Sequence, residues 1–261
     1  MNSPRIFAFA ALTLLAGCSH PVPKVTVDAL DTSLSITPRA EHAAENAILD
    51  QISRLGRGDR LILIPITGDA QNDVGGRILH LTAPTERQAY DNDLRRFQAD
   101  AKKQFAAWLG SHDPHQIRTD ILGTLDVARQ EFAAVPRDAD RRLIILSDFL
   151  EDDPSYRFVL SPQLANPGRA RALAVVTRTN RGFALPGVPV CLGRLESSDF
   201  APLSPQRKEA VQAFWAEYLS DRGQAPTLRF DGTGMLTGNA GCYDDSKDVA
   251  PTQTGGAEER P

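Results

Sequence analysis

The sequence is short of several features that mark common classes of protein. Its formal net charge is −4, so it lacks the excess of positive charge typical of nucleic-acid-binding surfaces. It has no P-loop and no G-x-G-x-x-G pattern, which are the glycine signatures of nucleotide phosphate sites. It also lacks a G-x-S-x-G turn and a persuasive Ser/His/Asp arrangement. We therefore expect no nucleic-acid partner and find no motif of a familiar hydrolase.

The first apolar run is too short to cross a membrane. Residues 6–16 form an eleven-residue apolar stretch, whereas spanning a bilayer takes about 20 residues. Arg5 precedes this stretch, and a positive residue before a short apolar segment is typical of a secretory signal. Residues 15–18 (LAGC) then resemble the lipobox of bacterial lipoproteins, in which the cysteine thiol receives the lipid.

The lipobox resemblance implies how the N-terminal region is used. Residues 1–17 would be the signal peptide, Cys18 the lipidated residue, and 18–23 the lipid anchor and tether. Each buried CH₂ of an acyl chain contributes about 0.8 kcal/mol, and more than one chain gives stable anchoring. Ser19, rather than an Asp that would favour inner-membrane retention, implies the outer membrane, facing the periplasm. An ordinary secretory signal with a chance cysteine is the alternative.

Two further cysteines would share that oxidising compartment. Cys191 and Cys242 allow only one pairing, so a disulfide between them is one interpretation. The alternative is two unpaired thiols, one of them buried in a strand.

Apolar runs and helical stripes alternate between residues 25 and 230. The pattern predicts strands at 25–30, 61–66, 77–82, 141–146, 188–192 and 227–230, and helices at 41–55, 91–109, 120–132 and 204–219. Residues 169–178 fit either a strand or a helix. The alternation predicts an α/β fold: a doubly wound, mostly parallel sheet with helices on both faces. In such folds, ligands bind beyond the carboxyl ends of strands, where the strand order reverses.

We assign this domain to 24–242 and expect a disordered tail at 243–261, which has no apolar spacing.

Polar residues stand at the ends of three predicted elements. A D-x-S-x-S sequence at 31–35 ends the first strand, Thr119 opens a helix, and Asp148 closes a later strand. In this order, the three segments resemble the metal-ion-dependent adhesion site of von Willebrand factor A (VWA) domains. The resemblance covers residues 24–235. It implies a VWA-like fold and one metal ion bound by Asp31, Ser33, Ser35, Thr119 and Asp148.

The chemistry of this set suits a hard cation. Mg²⁺ prefers about six oxygen ligands and keeps some waters, and carboxylate and hydroxyl oxygens are suitable donors for Mg²⁺ or Mn²⁺. Neutral hydroxyls leave the ion able to accept one more carboxylate. The resemblance therefore implies a non-enzymatic protein that binds an Asp or Glu carboxylate of a protein ligand.

Each residue also has an ordinary structural interpretation. The D-x-S-x-S segment is a common loop composition, Thr119 could only cap its helix, and Asp148 could only belong to an acidic loop. The chain would then be a structural lipoprotein with an empty site. His112 and His115, together with Asp113, could suggest a transition-metal site, although a solvated, proline-containing loop is the better interpretation.

A third function is a metal-dependent phosphohydrolase of the haloacid dehalogenase type. Those enzymes also place an Asp after the first strand of a parallel sheet, and they need a second Asp two residues later as general acid. Ser33 stands at that position, and a hydroxyl cannot replace a carboxylic acid in proton transfer near neutral pH. This enzyme function is therefore disfavoured.

Overall fold

A computed structural model describes residues 22–73, 77–85 and 90–220, and the backbone of 227–229. The strands are β1 (Lys24–Asp31), β2 (Arg60–Ile66), β3 (Leu79–Thr82), β4 (Asp140–Ser147), β5 (Val190–Arg194) and β6 (Thr227–Arg229). The α-helices are α1 (Pro38–Arg54), α2 (Ala70–Asp73), α3 (Tyr90–Leu109), α4 (Ile121–Ala133), α5 (Pro167–Arg181) and α6 (Pro205–Tyr218), with a 3₁₀ helix at Pro162–Ala165.

The six strands form one sheet in the order β3-β2-β1-β4-β5-β6. All neighbouring pairs are parallel except β2 and β3, which makes β3 an antiparallel edge strand. The chain winds outward from β1 in one direction and from β4 in the other. The strand order therefore reverses between β1 and β4, and the predicted mostly parallel α/β fold is confirmed.

Helices cover both faces of the sheet because β2 and β4 carry buried apolar side chains on both sides. Along β4, Leu143 and Ile145 belong to the core that also contains the buried side chains of α4, α5 and α6. Ile144 and Leu146 belong to the second core, which contains the buried side chains of α1 and α3. This alternation follows from the two-residue repeat of a strand.

Two local predictions change. The ambiguous segment 169–178 lies within helix α5, which Asn166 caps and which ends at Gly182 in the left-handed region (φ 58°). Helix α4 begins one residue later than predicted. Its N-cap is Asp120, whose side chain accepts a hydrogen bond from the backbone N–H of Gly123. The interpretation of Thr119 as only an N-cap is therefore wrong.

Several predictions fall on residues outside the described part of the chain. These are the signal peptide, Cys18, most of the tether, Cys242 and the tail at 243–261. Cys191 lies in β5 and is disulfide-bonded, while its pairing with Cys242 stays a prediction. Among the described helices, none combines the length and the apolar character that crossing a membrane requires.

Candidate metal-binding site

The carboxyl ends of β1 and β4 place two aspartates at one edge of the sheet. Asp31 is the last residue of β1, and Asp148 directly follows β4. The two strands are parallel neighbours, so their carboxyl ends meet where the strand order reverses. Ligand sites of open α/β sheets lie at this position. We call the predicted set the β1–β4 site: Asp31, Ser33, Ser35, Thr119 and Asp148.

Asp31 is buried and held from two sides. Its Oδ1 accepts the backbone N–H of Ser33 at 2.9 Å, which turns the chain immediately after β1. Its Oδ2 accepts the hydroxyl of Ser147 at 2.6 Å, from the neighbouring strand. The carboxylate therefore organises both the 31–35 loop and the end of β4.

The two serines connect Asp31 to Asp148. The hydroxyl oxygens of Ser33 and Ser35 lie 3.2 Å apart, and the Ser35 hydroxyl donates to Asp148 Oδ2 at 3.5 Å. The other oxygen of Asp148, Oδ1, accepts the backbone N–H of Leu150 at 2.9 Å. Four oxygen-bearing side chains from two loops thus converge at one place.

Thr119 enters this site from a third segment. It is buried, and its hydroxyl donates to the backbone carbonyl of Leu150 at 2.5 Å. Ser33, Ser35, Thr119 and Asp148 all line one cavity of about 460 Å³. Asp31 is not part of the lining and reaches the site through its hydrogen bonds.

Burial makes the two carboxyls costly to ionise together. Burial, and next the charge of Asp31, raise the pKa of Asp148 to about 7, although hydrogen bonds from Ser197 and Leu150 oppose the rise. Burial likewise raises the pKa of Asp31, against hydrogen bonds from Ser147 and Ser33. A nearby positive charge would relieve both effects.

The side chains present fit a hard divalent cation. Arg157 is the one basic residue among the described residues that line the cavity, and it pairs with Asp152 at 3.5 Å. The donors on offer are carboxylate and hydroxyl oxygens, which suit Mg²⁺ or Mn²⁺. A metal ion held here would supply the positive charge that the two buried carboxyls lack.

Comparisons with known proteins give only distant matches. No family model and no curated protein matches the chain. One similar solved structure is an aerotolerance-related membrane protein from Bacteroides fragilis, 16% identical, covering 82% of this chain and 95% of that chain, with a TM-score of 0.43. Another is the manganese-loaded TRAP protein of Plasmodium vivax, 12% identical, covering 82% and 70%, with a TM-score of 0.44. A third is a von Willebrand factor type A structure from Catenulispora acidiphila, 19% identical, covering 83% and 40%, with a TM-score of 0.43.

Sequence reasoning missed three polar residues around the site. Ser147 holds Asp31, the Ser197 side chain hydrogen-bonds to Asp148, and Asp199 lines the cavity. Ser147 is the last residue of β4 and follows four apolar residues. A polar residue at this position could have been recognised from the sequence as a candidate for the site. Ser197 and Asp199 lie in the loop after β5, and nothing in the sequence around them indicates a site. Only the order of the strands in the sheet brings this loop next to the end of β4.

The backbone next to Asp148 is strained. Phe149 has φ 65°, in the left-handed region that a bulky side chain rarely adopts. Its ring is fully buried near Trp215, and its carbonyl accepts the indole N–H of Trp215 at 2.9 Å. Such strain is found where surrounding contacts fix it, often at functional sites.

The cavity opens onto an apolar surface. Among the described residues, few large apolar side chains are exposed, and several of these are near the site. Ile117, Val159 and Leu160 line the cavity itself, and Leu34 lies between the two serines of the loop. We call these four residues the apolar rim.

The two candidate histidines differ in environment. His115 is exposed, as expected of a solvated loop. His112 is half-buried and packs edge-on against Trp108 with 4.4 Å between ring centroids, and its Nδ1 lies 3.0 Å from the carbonyl oxygen of Leu109. Burial lowers the pKa of His112. The contacts with Trp108 and Leu109 fix the position of the His112 ring at the end of α3.

Proposed function

We propose that this chain is a non-enzymatic binding protein of the bacterial cell envelope. In this proposal, the β1–β4 site holds one Mg²⁺ or Mn²⁺ ion, and the ion binds an Asp or Glu carboxylate of a protein ligand. Cys18 carries the lipid that anchors the chain, with the domain facing the periplasm from the outer membrane.

The convergence of hydroxyl and carboxyl oxygens at one cavity carries this proposal. Ser35 and Asp148, which are 113 residues apart in sequence, lie within hydrogen-bond distance, and Thr119 lines the same cavity. Two buried carboxyls in each other's field favour a cation between them. Because the remaining donors are neutral hydroxyls, the bound ion would keep enough positive charge to attract a further carboxylate.

The apolar rim supports a protein as the ligand. Ile117 is 73% exposed and Leu160 is 72% exposed, and both line the cavity. Contiguous apolar surface with polar residues nearby is typical of protein-binding surfaces. A partner segment with a carboxylate flanked by apolar side chains would match both features.

The test is capture of partners from envelope extract by the full-length protein in detergent. The proposal expects one partner to be retained with Mg²⁺ or Mn²⁺ and to be lost with EDTA or with Asp31→Ala. Asp100→Ala is the matched control, because Asp100 is an exposed aspartate on α3. It should retain the partner. Partners that persist both with EDTA and with Asp31→Ala would contradict a metal-mediated function.

A further inference from the structure

A second group of acids lies beside the β1–β4 site. Asp120, Glu151 and Asp153 each place one carboxylate oxygen within 4.8 Å of the other two. Asp120 caps helix α4, whereas the other two follow Asp148 in the loop after β4. Glu151 is fully buried, and Asp153 is 7% exposed. We call these three residues the acidic cluster.

Asp120 and Asp153 are held in place by backbone groups. Asp120 Oδ1 accepts the N–H of Gly123 at 2.6 Å, and its Oδ2 accepts the N–H of Ala70 at 3.1 Å. Asp153 Oδ1 accepts the backbone N–H of Tyr156 at 2.5 Å. These contacts orient the two carboxylates without adding a positively charged side chain.

Glu151 differs from both, because one of its oxygens has no hydrogen-bond partner. Its Oε2 accepts the backbone N–H groups of Ile121 and Leu122, each at 3.1 Å, at the start of helix α4. Its Oε1 is buried and makes no hydrogen bond. A buried carboxylate oxygen without a partner is costly, and a bound cation would supply that partner.

The positive charge nearby does not balance three carboxylates. The N-terminus of α4 supplies the equivalent of about half a unit charge. The guanidinium of Arg181 lies 2.7 Å from Asp126 Oδ2, with which it forms an ion pair. A proton on one carboxyl would remove one charge of three, whereas a divalent cation between them would offset two and give Glu151 Oε1 a partner.

We propose that the acidic cluster binds a second divalent cation, of the Ca²⁺ class, through Asp120, Glu151 and Asp153. Ca²⁺ lies 2.3–2.6 Å from its oxygens, so ligands on opposite sides are about 5 Å apart, and the cluster fits within that span. Ca²⁺ also tolerates irregular geometry better than Mg²⁺ does. The ion would tie the start of α4 to the loop after β4, and these segments also carry Thr119 and Asp148.

The test is Ca²⁺ titration of the full-length protein in detergent by calorimetry. The Asp148→Asn background removes a carboxylate of the β1–β4 site, so that the acidic cluster is measured alone. We expect one Ca²⁺ per chain there, and a loss of at least about tenfold in affinity when Glu151→Gln is added. Glu131→Gln is the matched control, because Glu131 lies on α4 and instead contacts the exposed His80. It should leave Ca²⁺ binding unchanged.

A second variant keeps the test decisive if Glu151→Gln does not fold. Asp153→Asn retains an oxygen that can accept the N–H of Tyr156, so we expect the turn to survive. Tb³⁺ can replace Ca²⁺ as a luminescent probe, and Asp153→Asn should lose the emission excited through nearby aromatic rings. Undiminished binding in either folded variant, or no Ca²⁺ binding in the Asp148→Asn background, would overturn the second site. The partner-capture experiment with Asp31→Ala is independent of these results.

Discussion

The β1–β4 site and the acidic cluster are neighbours with different chemistry. The first combines two carboxyls with three hydroxyls, and four of these five side chains line the cavity. The second consists of three carboxyls packed against the start of α4, and one of them, Glu151, lines the same cavity. Neutral hydroxyls limit the negative charge around an ion, so a metal there could still attract an external carboxylate. Three carboxylates around a buried divalent ion would neutralise its positive charge, so the ion would attract an external carboxylate only weakly. Under the two proposals, the β1–β4 site therefore has the ligand-binding role and the acidic cluster has a structural role.

One short segment connects the two regions. Asp148 belongs to the β1–β4 site, Glu151 and Asp153 belong to the acidic cluster, and the strained Phe149 lies between them. Two kinds of substitution can therefore test the two regions. One kind disturbs the whole 148–153 segment, and the other removes a side chain that belongs to only one region.

The largest effect is expected from Phe149→Ala, which should disturb both regions at once. Its ring is fully buried near Trp215, and truncating a buried Phe typically costs about 3–5 kcal/mol. Loss of the ring also frees the backbone that sets Asp148 and Glu151. We expect a lower free energy of unfolding in urea and weaker Mn²⁺ and Ca²⁺ binding.

Phe105→Ala is the control for this prediction. Phe105 is equally buried, but it belongs to the core under α1 and α3. It should lower stability by a similar amount and leave both metal affinities unchanged. Equal loss of metal binding in both variants would show that general destabilisation, and not the 148–151 segment, is responsible.

The next largest effect is the difference between two variants in the rise in Tm that Mn²⁺ causes. A site-specific ion at about 100 times its Kd stabilises the fold by about 2.7 kcal/mol. Asp148→Asn should abolish the rise in Tm that Mn²⁺ causes, and Glu151→Gln should largely preserve it. Thermal unfolding of both variants, with Mn²⁺ and with EDTA, measures the difference. A Mn²⁺ shift that vanishes in Glu151→Gln but persists in Asp148→Asn would reverse the assignment.

A smaller effect is expected from Ser147→Ala, on the side of the β1–β4 site. The Ser147 hydroxyl donates to Asp31 and accepts the backbone N–H of Phe149 at 3.0 Å, and the residue is fully buried. Its removal should cost about 1–2 kcal/mol in urea unfolding and weaken Mn²⁺ binding, while leaving Ca²⁺ binding in place. Ser53→Ala, an exposed helical serine, should be close to neutral. Unchanged Mn²⁺ affinity in Ser147→Ala would remove Ser147 from the set that positions Asp31.

The smallest effect concerns His112, which lies in neither region. Burial and the charge of Arg77 lower its pKa from 6.5 in the folded state, while carbonyl contacts with Leu109 and Trp108 and the charge of Glu41 oppose this. The unfolded chain therefore takes up the proton first, and stability is lost as pH falls below 6.5. In EDTA, His112→Gln should reduce the loss of stability between pH about 7 and about 5.5 in urea unfolding. If His112→Gln leaves the dependence of the free energy of unfolding on pH unchanged, the carboxyl groups and not His112 would account for the loss of stability at low pH.

The fold was largely predictable because its strands are strong, local signals. The apolar residues at 61–66 and 143–146 are too continuous for a sheet exposed on either face, so helices on both sides were expected. Segment 169–178 was ambiguous because short apolar runs have no decisive period. Its caps, Asn166 and Gly182, were the better signals.

The proximity of Asp31 and Asp148 was predictable from strand ends, whereas that of Asp120, Glu151 and Asp153 was not. Asp31 and Asp148 close adjacent parallel strands, so topology alone brings them together. Asp120 and Glu151 meet because the start of α4 faces the loop after β4, and no spacing in the sequence encodes that contact. The unpartnered oxygen of Glu151 is visible only in three dimensions.

The most direct measurement of the central claim is an anomalous difference map from crystals of the full-length protein grown with Mn²⁺. We expect a peak in direct or water-bridged contact with oxygens of Asp31, Ser33, Ser35, Thr119 and Asp148, and we expect no such peak in crystals of Asp148→Asn. A well-ordered β1–β4 site with no peak at saturating Mn²⁺, or a peak bound only elsewhere, would contradict it.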